Sequence, residues 1–304
     1  MIRRAAFAAL LALATHSAFA APQYDHLYAF GDSYSDNGAG QAFTEELVGQ
    51  KVKDAAVLPG PLYWQGRWSN GPTAVEGLAK ALNVALTDYA IGGAKSGDDN
   101  YYAWMEPARN TGVFGQIADY LQAAPEHKAD PEALYFIFVS ANDFFEWGDL
   151  NHEESVEDLA HKSLANIQSA ARTLVGAGAR HVLVVGTTDL AHVPAVVAGK
   201  QVKQATVYQQ ILAQQLPLVL AELAKNRSVD VRYFDHLAFS NRLRADAASA
   251  GLADINSPCQ ATYPKVLPVC TNPDGHYYWD EWHPTQKVHQ LASAAMLETL
   301  KANQ

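Results

Sequence analysis

Five short runs rich in β-branched and aromatic residues recur along the chain: His26 to Phe30, Val84 to Ala90, Ala133 to Val139, His181 to Val185 and Val229 to Phe234. Between and after them lie segments with helical patterning, Pro72 to Leu82, Gly115 to Ala123, Glu153 to Val175, Lys200 to Lys225 and Pro284 to Leu300. Strands separated by helices must be joined by crossovers, and right-handed crossovers place the helices on the faces of a parallel sheet. The pattern therefore predicts an α/β fold of three layers, α/β/α, around a parallel sheet of about five strands. The stretches Tyr34 to Gly71, Gly92 to Thr111 and Ala248 to Trp282 carry neither period and read as irregular. No repeat, low-complexity tract or linker divides the chain.

Residues 1–20 read as an export signal: Arg3 and Arg4, an apolar run from Ala5 to Ala14, and Ala18-Phe19-Ala20 as a small-x-small cleavage site. The apolar run is shorter than the roughly 20 residues a bilayer span requires, so no stable membrane anchor is expected. Residues 21–304 are then expected to form one domain, a monomer in the periplasm or outside the cell. Export gives meaning to Cys259 and Cys270, the sole cysteines, which flank the stretch CQATYPKVLPVC. In an oxidising compartment they are expected to form a disulfide, and neither His nor Cys stands nearby at the spacing of a zinc finger. A net charge of −10 argues against a nucleic-acid partner.

Ser33 follows the first apolar run in FGDSYSDNG, Gly92-Gly93 follow the second, Asn142 follows the third in VSAND, and His283 opens the last helical segment in DEWHPT. All four fall at strand exits or loops, and a flavodoxin-like strand order would gather the first three at the carboxyl edge of the sheet, where ligands bind in such folds. These blocks, in this order, resemble the GDSL, or SGNH, family of esterases and lipases. The stretch GRWSNGPTAVEGLA, residues 66–79, resembles the family's approach to its first helix. Two positions depart from the family pattern: Tyr34 stands in place of leucine, and Ala141 stands where glycine often precedes Asn-Asp. Neither supplies a reactive group, so both bear on substrate fit.

A serine hydroxyl attacks a carbonyl carbon only when a base accepts its proton, and a histidine suits that task near neutral pH. His283 is the candidate base, and activity is expected to fall as it protonates below about pH 6 to 7. Asp280, three positions earlier, is near enough for a local turn to aim its carboxylate at the imidazole Nδ1. Glu281 would then point elsewhere. For the oxyanion, the resemblance implies the backbone N–H of Ser33, the backbone N–H of Gly93 and the side-chain amide of Asn142. Gly92 is the rival to Gly93. His192, His276 and His289 are other histidines, but none has a carboxylate and a following proline so placed. No HExxH, phosphate-loop or G-x-S-x-G pattern occurs, and the chemistry requires neither metal nor cofactor.

The expected substrate is a small carboxylic ester with a short acyl group. The aromatic loop KSGDDNYYAW and the overall length resemble secreted bacterial choline esterases of this family, which implies Tyr101 and Trp282 as choline contacts, since aromatic faces attract quaternary ammonium. A phospholipase, lysophospholipase or glycerophospholipid acyltransferase, with interfacial contact to lipid, stays open beside this reading. So does a binding module that keeps the fold without the chemistry.

Overall fold

A computed structural model describes residues 24–150, 153–226 and 228–302. The expected signal, residues 1–20, lies outside the described residues. The strands β1 (His26–Gly31), β2 (Ala85–Asp88), β3 (Leu134–Phe138), β4 (His181–Val185) and β5 (Asp230–Phe234) form one parallel sheet in the order β2-β1-β3-β4-β5. Tyr28 pairs with Tyr135, and Val182 pairs with Val231. The central strand β3, LYFIF, is buried along its whole length, which is why it reads as a continuous apolar run rather than an alternating one.

Among the described residues there are nine α-helices: α1 (Ala39–Gly49), α2 (Ala74–Leu82), α3 (Val113–Ala123), α4 (Ala141–Leu150), α5 (Val156–Ala177), α6 (Pro194–Ala198), α7 (Val202–Leu223), α8 (His236–Ala245) and α9 (Gln286–Lys301). They pack in two groups, α5 against α3 and α7, and α9 against α2 and α8. Helices thus flank the sheet as the alternation predicted. A two-stranded parallel pair, β6 (Asp254–Pro258) and β7 (His276–Tyr278), stands apart from the main sheet.

Helices α1, α4 and α8 and the β6–β7 pair fall where the sequence shows no clear period. Helix α1 starts on Gly38, at a φ of 111°, which has no side chain to cap it; the Asp36 carboxylate accepts from the Gly38 and Gly40 N–H groups instead. Helix α4 follows β3 after only Val139 and Ser140, so Ala141-Asn142-Asp143 looks like a turn but forms the first helical turn. Helix α8 carries a legible signal, Asp235, whose side chain accepts from the Ala238 N–H.

The last helix needs a correction. It begins at Gln286 rather than Pro284, because Pro284 bridges Tyr278, and the Thr285 N–H donates to the Tyr277 carbonyl at 2.9 Å. The Trp279 N–H donates to the His283 carbonyl at 2.7 Å. His283 therefore sits on the return arm of a tight β-like closure, not at a helix start.

Candidate functional site

At the end of β1 the backbone of Gly31 is satisfied from the side by Gln116 of α3, which accepts from the Gly31 N–H and donates to the Gly31 carbonyl, both at 2.8 Å. That releases the chain from the sheet. Asp32 then folds residues 32–36 into a turn, its carbonyl accepting from the N–H groups of Ser35 and Asp36 at 2.9 and 3.0 Å. Ser33 lies on this turn, at the carboxyl edge of the sheet and nearly buried. Burial pushes Asp32 up to about 7, although the Tyr34 N–H bonded to its carboxylate opposes the rise.

The residues named from sequence converge. Ser33 Oγ lies 2.8 Å from His283 Nε2, and His283 Nδ1 lies 2.8 Å from Asp280 Oδ2. With the Nδ1 proton held by the carboxylate, Nε2 is left to accept from the serine hydroxyl. Asp280 is wholly buried, and its Oδ1 accepts from the backbone N–H of Trp282 and of His283 at 2.8 and 2.6 Å. Burial alone would raise this carboxyl. The His283 imidazole and the hydrogen bonds it receives outweigh burial and hold it below its ordinary value. Glu281 does point away, accepting from Thr262 and Tyr263 of the loop closed by the Cys259–Cys270 disulfide.

Gly92 and Gly93 are distinguished by their partners. The Gly92 N–H donates to buried Asp36 Oδ2 at 2.8 Å, and the same carboxylate accepts from Gly38 and Gly40 at the start of α1. Gly93 borders the cavity described below. Gly93 has φ of +82°, and a Cβ there would collide with Asn100 Oδ1 and the Tyr102 ring, so two independent constraints require glycine. Asn142 borders the same cavity and donates one amide hydrogen to the Ala94 carbonyl at 3.1 Å. Its neighbour Asp143 fixes the loop beyond Gly93 by accepting from the Ser96 N–H and hydroxyl at 3.0 and 2.7 Å.

Above Ser33 opens a cavity of about 300 Å³ whose walls include both Tyr101 and Trp282. Tyr63, Trp68, Phe145 and Asp149 line it as well and were not singled out from sequence. Phe145 and Asp149 had a usable signal: with Asn142 they stand at i, i+3 and i+7 on α4, hence on one face, once that segment is recognised as a helix. The Tyr101 hydroxyl donates to Asp149 Oδ2 at 2.8 Å.

Tyr34 plays a different part from the one expected of a substrate-fitting position. It does not border the cavity; its hydroxyl donates to the Trp282 carbonyl at 2.9 Å and its ring packs beside His283 at 5.9 Å. Of the other histidines, His192 contacts Asp189 at 2.8 Å, and His289 is buried behind the site with Nδ1 accepting from the Ala74 N–H at 3.2 Å. Among the described residues no group of His, Cys, Asp and Glu could hold a metal ion.

The family model described as GDSL-like Lipase/Acylhydrolase matches residues 27–296. The chain belongs to this family. As a GDSL-like acylhydrolase it is a carboxylic ester hydrolase. It is 25% identical to a phosphatidylcholine-sterol acyltransferase from Aeromonas hydrophila, over 93% of this chain and 92% of that protein. It is also 25% identical to a thermolabile hemolysin from Vibrio parahaemolyticus, over 91% of this chain but 64% of that protein, so it spans less than two thirds of the latter. In structure it is similar to a candidate GDSL-like lipase from Parabacteroides merdae, with a TM-score of 0.50 at 12% identity, covering 91% of this chain and 96% of the other. That likeness speaks for the fold alone. No described helix of this acylhydrolase is long and apolar enough to cross a membrane.

Proposed function

We propose that this acylhydrolase is exported and cleaves short-acyl esters, choline esters among them, through an acyl-enzyme on Ser33. The observation that carries the reading is the continuous chain Ser33 Oγ, His283 and Asp280, with both links at 2.8 Å, at the floor of an aromatic cavity. In this reading Ser33 attacks the ester carbonyl as His283 takes its proton, and Asp280 holds the tautomer and stabilises the imidazolium. The Ser33 N–H, the Gly93 N–H and the Asn142 amide face the developing oxyanion. Gly92 has no such role, since its N–H is engaged by Asp36. His283 then protonates the leaving alcohol, and a water deprotonated by the same imidazole releases the acid.

The alcohol is assigned from the cavity wall. Tyr101 and Trp282 offer aromatic faces, and Asp149 adds a carboxylate at the exposed end, a combination suited to a quaternary ammonium. Asp149→Asn preserves the acceptor for the Tyr101 hydroxyl while removing the charge. It should raise KM for an acylcholine about fivefold and leave an uncharged ester of the same acyl group unchanged. An equal effect on both esters, or none on either, would contradict the cation assignment. Export is supported by the Cys259–Cys270 disulfide, which fits a periplasmic or extracellular setting.

A second reading, a lipid-directed hydrolase or acyltransferase, is favoured by one structural feature. The disulfide loop exposes Tyr263, Val266, Leu267 and Val269 at 71%, 55%, 49% and 48%, an apolar surface fit for a lipid interface. The activities named for the two relatives, an acyltransferase and a hemolysin, point the same way. Nitrophenyl esters of increasing chain length separate the readings. Falling rates beyond short acyl chains support the first, and rising rates support the second.

A further inference from the structure

We propose that Tyr63 is a positioning residue that tunes the base through Asp280; the inference rests on the Ser33–His283–Asp280 reading above. The Tyr63 hydroxyl donates to Asp280 Oδ2 at 2.5 Å, the same oxygen that faces His283 Nδ1 at 2.8 Å. The other carboxylate oxygen is taken by the N–H groups of Trp282 and His283. A phenol on Oδ2 therefore completes a fully engaged carboxylate, and both its oxygens are held in place toward the imidazole.

Tyr63 comes from the segment between α1 and α2, remote in sequence from Asp280, and that segment is fastened on both sides. The Trp64 N–H donates to the Ser69 carbonyl at 2.9 Å, and the Ser69 hydroxyl donates to the Pro284 carbonyl at 2.7 Å. The Tyr63 ring rests against Trp68 at 5.6 Å, and Trp68 rests against His283 at 5.1 Å. The hydroxyl is thereby tied to the very segment that carries the base.

Two consequences follow from ordinary hydrogen-bond chemistry. A donor on Oδ2 draws charge from the carboxylate, so the imidazolium formed during the reaction is held less tightly than a bare carboxylate would hold it. The same donor keeps Oδ2 from turning toward solvent in the cavity that the Tyr63 ring borders. Tyr63→Phe keeps that ring and removes only the hydroxyl.

The test is the pH profile of ester hydrolysis for the whole enzyme, with Ser33→Ala beside it. Tyr63→Phe should lower kcat about tenfold with KM for an uncharged ester within about twofold, on the scale of one lost charge-assisted hydrogen bond. The acid limb of kcat/KM should move to higher pH by about half a unit, because the unrelieved carboxylate favours the imidazolium. A ring-fluorinated tyrosine at position 63, a stronger donor, should move the limb the other way, and it serves equally if Tyr63→Phe does not fold. An unmoved acid limb in either variant, whatever happens to kcat, would overturn the proposal. The two readings fail separately: activity surviving in Ser33→Ala would remove the nucleophile, whereas an unmoved limb with Ser33→Ala inactive would remove only the role of Tyr63.

Discussion

His289 shows how much a single buried histidine can contribute to acid sensitivity. Its Nδ1 accepts from the Ala74 N–H at the start of α2, so the neutral ring is satisfied and a protonated one would lose its partner beside the positive end of a helix. Burial first, then the nearby His283 and His236, push it down to about 3 from the ordinary 6.5. Because the folded value is lowered, the unfolded chain takes up the proton first as pH falls. The contribution is complete above about pH 6.5 and is lost toward pH 3, at about 1.4 kcal/mol per pH unit. Chemical denaturation of the enzyme and of His289→Gln should therefore show a stability gap that narrows by about that amount per unit between about pH 6 and pH 4. Burial also raises Asp32 and Asp36, which act in the opposite sense, but both chains share them and the difference cancels. A gap independent of pH would contradict the buried neutral ring. In the sequence His289 falls inside the last helical segment with nothing nearby to mark a chemical role. Packing is what the structure shows, and the partner at Ala74 was invisible because it comes from a distant element.

At the scale of elements, the strap between β6 and β7 does what a long irregular segment alone could not. Cys259 and Cys270 close it, the Cys259 N–H donates to the Tyr278 carbonyl at 3.0 Å, and the Gln260 N–H donates to the Trp279 carbonyl at 2.7 Å. Thr262 and Tyr263 then engage Glu281, next to the segment bearing His283. Replacing both cysteines by serine should lower the unfolding free energy by about 3 kcal/mol, the loop-closure value for a ring of this length, as read by denaturant titration. No loss would mean that the backbone bonds to Tyr278 and Trp279 restrain the strap by themselves. The regular elements were legible because burial on one or both faces imposes a period, as in LYFIF of β3 or the amphipathic α5. Helix α4 was not, since its capping-type residues Asn142 and Asp143 are turned to the cavity and to Ser96 instead of marking a boundary. The start of α9 departs from the sequence pattern for a similar reason: a tertiary bridge from Pro284 to Tyr278 overrides a local preference of proline for the first helical turn.

For the molecule as a whole, the parallel order β2-β1-β3-β4-β5 is what turns four scattered blocks into one site. The exits of β1, β2 and β3 lie side by side, so Ser33, Gly93 and Asn142 meet at one edge, and the β7 closure brings His283 to Ser33 from the far end of the chain. Reactive residues were readable because their chemistry restricts their type and their strand exits restrict their place. The walls were not: Tyr63, Trp68 and Asp149 are ordinary residues whose position depends on how loops fold over that edge. The central claim is that this convergence makes Ser33 the nucleophile. It is tested most directly by mass spectrometry of the enzyme after a serine-directed fluorophosphonate, with Ser33→Ala in parallel. The account predicts one adduct on the peptide carrying Ser33, none on the folded variant, and loss of nearly all esterase activity in that variant. Adduct formation on another residue, or a folded Ser33→Ala enzyme retaining more than about a few per cent of activity, would contradict it.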